Sequence, residues 1–433
     1  MDGVGTTATG RALPKELRSA SDAIARDSEA IVDDLARLIA TDTSFPPGNG
    51  YAALADMLEA MLKPFGYAFR RISVPKELWY AGEGSGEGER INLIAEPRDS
   101  GAEPCSLYYH MDTVPAGAGW TRPPLALTRE GDKLFGRGAA DMKGAIAATL
   151  AALRAAKRGG MTLRFAPALL FCTDEEGGLY PGARYLAEQK LIRGHLLNFN
   201  GGAAPRIWAG CFGSIDFLVR VTGRGGHTGD PGNGVNALEE SIPLLNALMA
   251  LKAQVETRVS AMPSPPHFNG QPLRARLTIA AAHGGQKGSS LPARFEMLIN
   301  RRYAPEEDFE TVRAEIESAV ATAMKSSRAL GCEVELIGHL APVRDPVGPH
   351  WPRWQAALSD GFGFPLRSFR AWGASSSSDM GWVQQAGIEE ILLGGLIRPD
   401  SNAHAPDEFT TLPDVVALAR SILFYLSADF TPS

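Results

Sequence analysis

Apolar residues recur along the chain in two rhythms. Between residues 16 and 40 they fall at Ile24, Ile31, Leu35, Leu38 and Ile39, the spacing of one helix face. Ala52–Leu62 repeats that spacing after the Pro46-Pro47-Gly48 turn. Ala68–Val74 and Ile91–Ala95 are short β-forming runs, and the Gly- and Glu-rich stretch 80–89 between them predicts a surface loop. Cys105–Tyr109 and Ala168–Thr173 predict buried strands, with a helix over Lys143–Lys157 between them. Strand, helix and strand in that order describe an α/β sheet. Residues 1–15, small and polar, predict a loose tail.

Near Gly213 the rhythm shifts. Ser214–Thr222 alternates like a half-exposed strand, and Val235–Val255 predicts a long helix. Two strands follow, Leu273–Ala281 and Arg294–Ile299, then a helix over Glu306–Arg328 and a strand over Cys332–Gly338. That β-α-β-β-α-β order is the split, ferredoxin-like unit. The expected architecture is therefore α/β in two domains. Residues 1–213 and 342–433 form a discontinuous domain with a mixed sheet, closed by a helix over Val415–Leu426, and residues 214–341 form an inserted α+β domain.

Composition narrows the function classes. A net charge of −6 without a basic run argues against nucleic acid as a partner. No apolar stretch approaches the length of a membrane span. Met1-Asp2-Gly3-Val4-Gly5 carries an acid early and lacks the apolar core of a secretory signal. Cys105, Cys172, Cys211 and Cys332 are scattered, and two lie in expected buried strands, so no disulfide framework is expected. A cytoplasmic, reducing location follows as the expectation.

The candidate chemistry sits where strands end. His110 closes the first buried run, and residues two apart on a strand share a face, so His110 and Asp112 project together. A metal-bound imidazole needs a group that fixes its tautomer, and Asp112 is placed to be near it. Asp141 follows a Gly-flanked turn (Gly136-Arg137-Gly138) and precedes the helix at Lys143; an ordinary helix N-cap is its plainer role. The second buried run ends at Asp174-Glu175-Glu176-Gly177-Gly178. Two strands ending in potential ligands describe a crevice at the carboxyl edge of an α/β sheet.

The ordered set His110-Met-Asp112, Asp141-Met-Lys-Gly144, Glu175-Glu176 and His404, the last within Ser401-Asn402-Ala403-His404-Ala405-Pro406-Asp407-Glu408, resembles the M20 metallopeptidases and amidohydrolases. The likeness runs over roughly residues 30–425. It implies one or two divalent ions, manganese or zinc, with Asp141 bridging and His110, Glu176 and His404 as further ligands. It implies that Glu175 is the general base, a division of labour the chemistry supports. One position departs from the pattern. Where the family places an acidic ligand this chain has Leu197-Asn198-Phe199-Asn200, and Asn200 is the best match. An amide oxygen can coordinate but brings no charge, which leaves open whether one or two ions bind.

The same resemblance assigns the inserted domain to a lid or dimerisation role, implying a homodimer or higher homo-oligomer. Within it, Gly223-Arg224-Gly225-Gly226-His227-Thr228-Gly229-Asp230-Pro231 implies that His227 stabilises an oxyanion. Asn300-Arg301-Arg302-Tyr303 implies that Arg302, or less well Arg301, grips a substrate carboxylate. Trp372 is a candidate substrate wall. Ser375–Ser378 lacks the Gly-x-Ser-x-Gly elbow of a serine nucleophile.

The expected function is metal-assisted hydrolysis of a C–N bond in a small carboxylate-bearing substrate, with amide or N-acyl cleavage first. Hydrolytic deamination of an aromatic amine is the alternative, as in a divergent aminohydrolase branch acting on 5-nitroanthranilate; Asn200, Trp208 and Trp372 favour it. A metal-poor binding protein is the alternative from another class.

Overall fold

The structure is a computed structural model that describes residues 13–80, 88–98, 101–177, 179–230, 232 and 234–431. Most of the expected N-terminal tail, most of the 80–89 loop, Gly178 and Pro231 lie outside the described residues. The chain divides into two compact units. One comprises Met1–Trp208, Pro346–Ala371 and Trp382–Ser433, and the other Ala209–Asp345 with Trp372–Gly381. The chain passes from one unit to the other at Trp208/Ala209 and at Asp345/Pro346, where the sequence reading set its boundaries at 213/214 and 341/342. The segment 372–381 groups with the smaller unit.

The larger unit is built on a six-stranded mixed sheet. Its strand order is Tyr67–Ser73, Ile91–Pro97, Phe165–Cys172, Glu103–His110, His195–Asn198, Ile391–Leu393. Glu103–His110 runs parallel to both neighbours, pairing His110 with Cys172 and Tyr108 with Asn198. Three parallel strands thus deliver His110, the loop after Cys172 and Asn198 to one edge. Parallel strands covered on both faces are mostly apolar, and every residue from Cys105 to Tyr109 is buried, with Ser106 the one polar residue among the five.

Helices flank this sheet. Lys143–Arg158 is alanine-rich and packs against the helices Leu412–Leu426, Ser28–Ala40 and Lys15–Arg26. Gly144 permits the approach at its start, because a Cβ there would lie 2.3 Å from the Ala139 carbonyl oxygen. The helical spacing of residues 16–40 resolves into two helices, Lys15–Arg26 and Ser28–Ala40, interrupted at Asp27.

The smaller unit contains a four-stranded antiparallel sheet in the order Arg276–Gly284, Arg294–Tyr303, Gly213–Thr222, Gly331–Leu340. Helices Ile242–Val255 and Phe309–Met324 pack on it over a core that includes Phe217, Val219, Leu244, Leu248, Met297 and Ile316. The element order is the β-α-β-β-α-β of the sequence reading. The first helix starts at Ile242 rather than Val235, after a 3-10 turn over Glu239–Ser241. Pro243 accounts for the late start: lacking an N–H, it is tolerated in a first helical turn and not further inside. Cys105, Cys172, Cys211 and Cys332 form no disulfide. Among the described residues no helix is long and apolar enough to cross a membrane.

The edge of the large sheet opposite His110 carries a second titratable cluster. His195 opens its strand with its ring stacked on His350 at 3.9 Å, and its Nε2 lies 2.5 Å from the Tyr425 hydroxyl. His350 is flanked by Glu390 at 2.6 Å and Glu103 at 3.0 Å. Burial, then the charge of His350, lowers the His195 pKa to about 3 from its ordinary 6.5. The unfolded chain therefore takes up a proton that the native state refuses, and stability falls as pH drops from 6.5 towards 3. Melting curves at pH 7 and pH 5 test this: His195→Gln should show a shallower acid loss than wild type. Equal losses would refute the role of His195.

Candidate metal centre

Each candidate ligand is presented by a segment that ends or interrupts regular structure. His110 is the last residue of its strand and is fully buried. Its Nδ1 lies 2.9 Å from the Asp112 main-chain oxygen and 3.9 Å from the Asp112 carboxylate. The nearest tautomer-fixing group is thus the main-chain carbonyl of Asp112 and not its carboxylate. That carboxylate instead accepts a hydrogen bond from the Glu176 main-chain N–H at 2.8 Å and so fixes the acidic loop.

Asp141 joins two imidazoles. Its Oδ1 is 2.9 Å from His110 Nε2, and its Oδ2 is 3.4 Å from His404 Nε2. His404 also stands 3.0 Å from Glu176. Burial opposes ionisation of Asp141, but hydrogen bonds from His110 and His404 outweigh it and hold the carboxyl below its ordinary range. The hydrogen bond to Asp141, then that to Glu176, raises His404 to about 10. His110 is also raised: burial works against its charge, and Asp141 restores it.

Two groups of donor atoms converge within 4.8 Å: Asp141 with Glu176 and His404, and His110 with Glu175 and Glu176. Carboxylate oxygens and imidazole nitrogens suit zinc or manganese. Closely set carboxylates call for a positive charge among them, so these residues fit a divalent cation. Asn200 directs its amide Nδ2 at Glu175 Oε1, 3.2 Å away, and its main-chain N–H donates to Asn198 Oδ1 at 2.8 Å.

Two supports beneath these residues were not apparent from the sequence. Glu408 is 1% exposed and gathers the loop before Asp141. It accepts from Arg137 at 2.7 Å and from the main-chain N–H groups of Gly138, Ala140 and Asp141 at 3.0, 3.0 and 3.1 Å. Its only sequence signal was its place four residues after His404. On the other side, Asp174 accepts from Tyr51 and from Arg90 Nε, both at 2.7 Å, at a positive φ of 58°. Arg90 also donates to the Gly48 and Pro47 carbonyls at 3.1 and 3.0 Å, which ties the loop leading into Glu175 to the Pro46-Pro47-Gly48 turn. Lys143, likewise buried, donates to the Thr41 carbonyl at 2.8 Å, and burial lowers it to about 8. The Asp141-Met142 peptide is cis.

The remaining candidates belong to the smaller unit. His227 is exposed and accepts from the Gly229 N–H at 3.0 Å. Arg302 donates to Asn300 Oδ1 at 3.1 Å and to Ser377. Arg301 points to the other face of the same strand, as alternation requires, and is wholly buried in an ion pair with Glu307. Of the two arginines offered as a carboxylate anchor, Arg301 is enclosed and Arg302 is partly accessible. Trp372 is half-buried, whereas Trp208, in the larger unit, is 4% exposed and enclosed.

Comparison with known proteins matches the profile of peptidase family M20/M25/M40 to residues 106–427. Acetylornithine deacetylase of Erwinia tasmaniensis is 30% identical over 271 residues, 61% of this chain and 64% of the relative. Carboxypeptidase G2 of Pseudomonas sp. strain RS-16 is 28% identical over 294 residues, 67% of this chain and 64% of the relative. The chain thus spans 64% of the length of these curated relatives. Among solved structures, the dipeptidase Dug1p of Saccharomyces cerevisiae superposes with a TM-score of 0.79 at 16% identity, covering 96% of this chain and 99% of that one. Human carnosine dipeptidase 1 gives 0.75 at 16% identity, covering 94% and 98%. These structural likenesses speak to the fold.

Glu408→Gln tests the support under Asp141. Removing one partner of a buried, hydrogen-bonded charge pair costs about 3–5 kcal/mol, and loss of an outer-shell group lowers metal affinity about 10- to 100-fold. Chemical denaturation and zinc titration of the variant should show both effects. Wild-type zinc affinity would sink the assignment.

Proposed function

The chain belongs to peptidase family M20/M25/M40, and from that premise we propose a metal-dependent hydrolase that cleaves the amide C–N bond of a small carboxylate-bearing substrate. The observation that carries the reading is the convergence of Asp141, Glu176 and His404 beside Glu175. Asp141, Glu176 and His404 are the residues to hold a divalent cation. When bound, such an ion polarises a carbonyl and acidifies water.

The chain's own residues supply the proton traffic. Glu175 takes a proton from the water that attacks the amide carbon, and passes it to the departing nitrogen as the C–N bond breaks. The products are a carboxylic acid and an amine. The Glu176 main-chain N–H donates to Asp112 and the Asn200 amide donates to Glu175, and these two bonds hold the adjacent acids for separate roles. His227 is the proposed donor to the developing oxyanion and Arg302 the proposed anchor of the substrate carboxylate; both are carried by the smaller unit. A planar guanidinium presents a fork that matches a carboxylate. The enclosure of Trp208 removes one support for the aromatic-amine alternative.

A panel of N-acyl amino acids, dipeptides and aminobenzoates, assayed with added zinc or manganese for new primary amine and for ammonia, tests the reaction class. Amine release from the acylated compounds is expected, and Glu175→Gln should lower it about 10²- to 10⁴-fold with metal content unchanged. Ammonia from the aminobenzoates alone would overturn amide cleavage. On the best substrate, Arg302→Met should raise KM about 10-fold or more, the size of one lost charge-assisted contact. Comparing each acid with its carboxamide analogue checks the cause: the variant should no longer prefer the acid.

A further inference from the structure

We propose that the centre holds a single divalent cation per chain, in the Asp141–Glu176–His404 group, and that Asn200 is not a ligand but the residue that positions Glu175. This rests on the metallohydrolase reading above and assigns the side chains within it.

Hydrogen-bond chemistry identifies the atom that Asn200 presents. An ionised carboxylate only accepts hydrogen bonds, so the amide atom 3.2 Å from Glu175 Oε1 is the NH₂ nitrogen. An amide nitrogen in that role brings no lone pair to a metal. To coordinate, Asn200 would have to turn its oxygen inward, give up this bond, and set its dipole against the same carboxylate. The main-chain N–H of Asn200, held by Asn198 Oδ1 at 2.8 Å, further restrains the residue.

Charge allocation points the same way. Asp141, Glu175 and Glu176 are the carboxylates of the two converging groups. One dication with Asp141 and Glu176 is balanced, and Glu175 keeps the negative charge a general base requires. A second dication beside His110 would recruit Glu175, since the His110 group contains Glu175 and shares Glu176 with the first. A second ion there would compete with the proton for Glu175 and would have to share the Asp141 carboxylate, whose Oδ1 lies 2.9 Å from His110 Nε2. Asn200, neutral and directed at Glu175, adds no charge to favour it. Its hydrogen bond instead fixes Glu175 Oε1 and so orients the carboxylate that takes the proton of the attacking water.

The test combines metal content with kinetics on the full-length chain. Wild type dialysed against zinc should retain one ion per chain by elemental analysis, and Asn200→Asp, which adds a charged oxygen at the same volume, should retain two. Asn200→Ala should keep one ion at wild-type affinity while kcat falls about 10-fold with little change in KM, the signature of a lost positioning contact rather than lost binding. His404→Ala should lose the ion. Two ions on wild type, or weakened zinc binding in Asn200→Ala, would overturn the inference while leaving the hydrolase reading intact. A wild-type chain that retains no zinc or manganese and releases no amine would instead overturn the hydrolase reading itself.

Discussion

The geometry of the centre depends on a buried carboxylate that is not itself a candidate ligand. Glu408 accepts three main-chain N–H groups and one guanidinium, and the last of those N–H groups belongs to Asp141. Its two oxygens are thereby committed, and so is the path of residues 137–141. Asp141 in turn stands between His110 and His404. Because Glu408 lies four residues beyond His404, one short segment supplies both a candidate ligand and the brace for Asp141, which His404 meets. Burial of such a charge is tolerable only because nearly every lone pair has a donor.

A comparable arrangement holds the acidic loop. Asp174 is tied to Tyr51 and Arg90, and Arg90 to the turn at Pro47 and Gly48. Burial pushes the Asp174 carboxyl up to about 6 against the pull of Arg90. The residue directly before Glu175 is therefore anchored to the interior, while Asp112 fixes the main chain at Glu176. Two adjacent glutamates can take different tasks because each neighbour in the sequence, or each backbone group, is held separately. A free acidic loop would let both carboxylates compete for the same cation.

Much of this was legible in the sequence where local chemistry and periodicity agree. The apolar run ending at His110, the Gly-bounded turn before Asp141 and the paired acids after the second run all lie at strand or helix ends, where the side-chain period itself marks the boundary. The smaller unit's element order was legible for the same reason. Short elements were not: His195–Asn198 and Ile391–Leu393 have too few residues to show a period, and tertiary pairing alone makes them strands. The helix Trp351–Phe362 carries Trp351, Trp354 and Leu358 at helical spacing, yet Gly361 and Gly363 at its end and Pro352 at its start mask the pattern. Arg301 and Arg302 show the opposite lesson. Adjacent and chemically identical, they are separated by strand alternation into a buried ion pair and an accessible side chain.

Glu408 and Arg90 were hidden for a deeper reason. Their partners lie hundreds of residues or tens of residues away, and nothing in their own surroundings distinguishes a bracing acid or arginine from a solvated one. The same separation has an energetic consequence. His110, Asp141, Glu176 and His404 come from four segments that only the sheet edge and these braces assemble, so an unfolded chain cannot present them together. A cation held by the proposed group Asp141, Glu176 and His404 would bind the native state alone, and its binding free energy would add to folding by mass action. The braces would shape that coupling, because each holds a candidate ligand, or the loop that carries one, in place without an ion. Binding then spends little on ordering the loops, and the affinity of the centre reflects its donors rather than the flexibility of the segments that carry them.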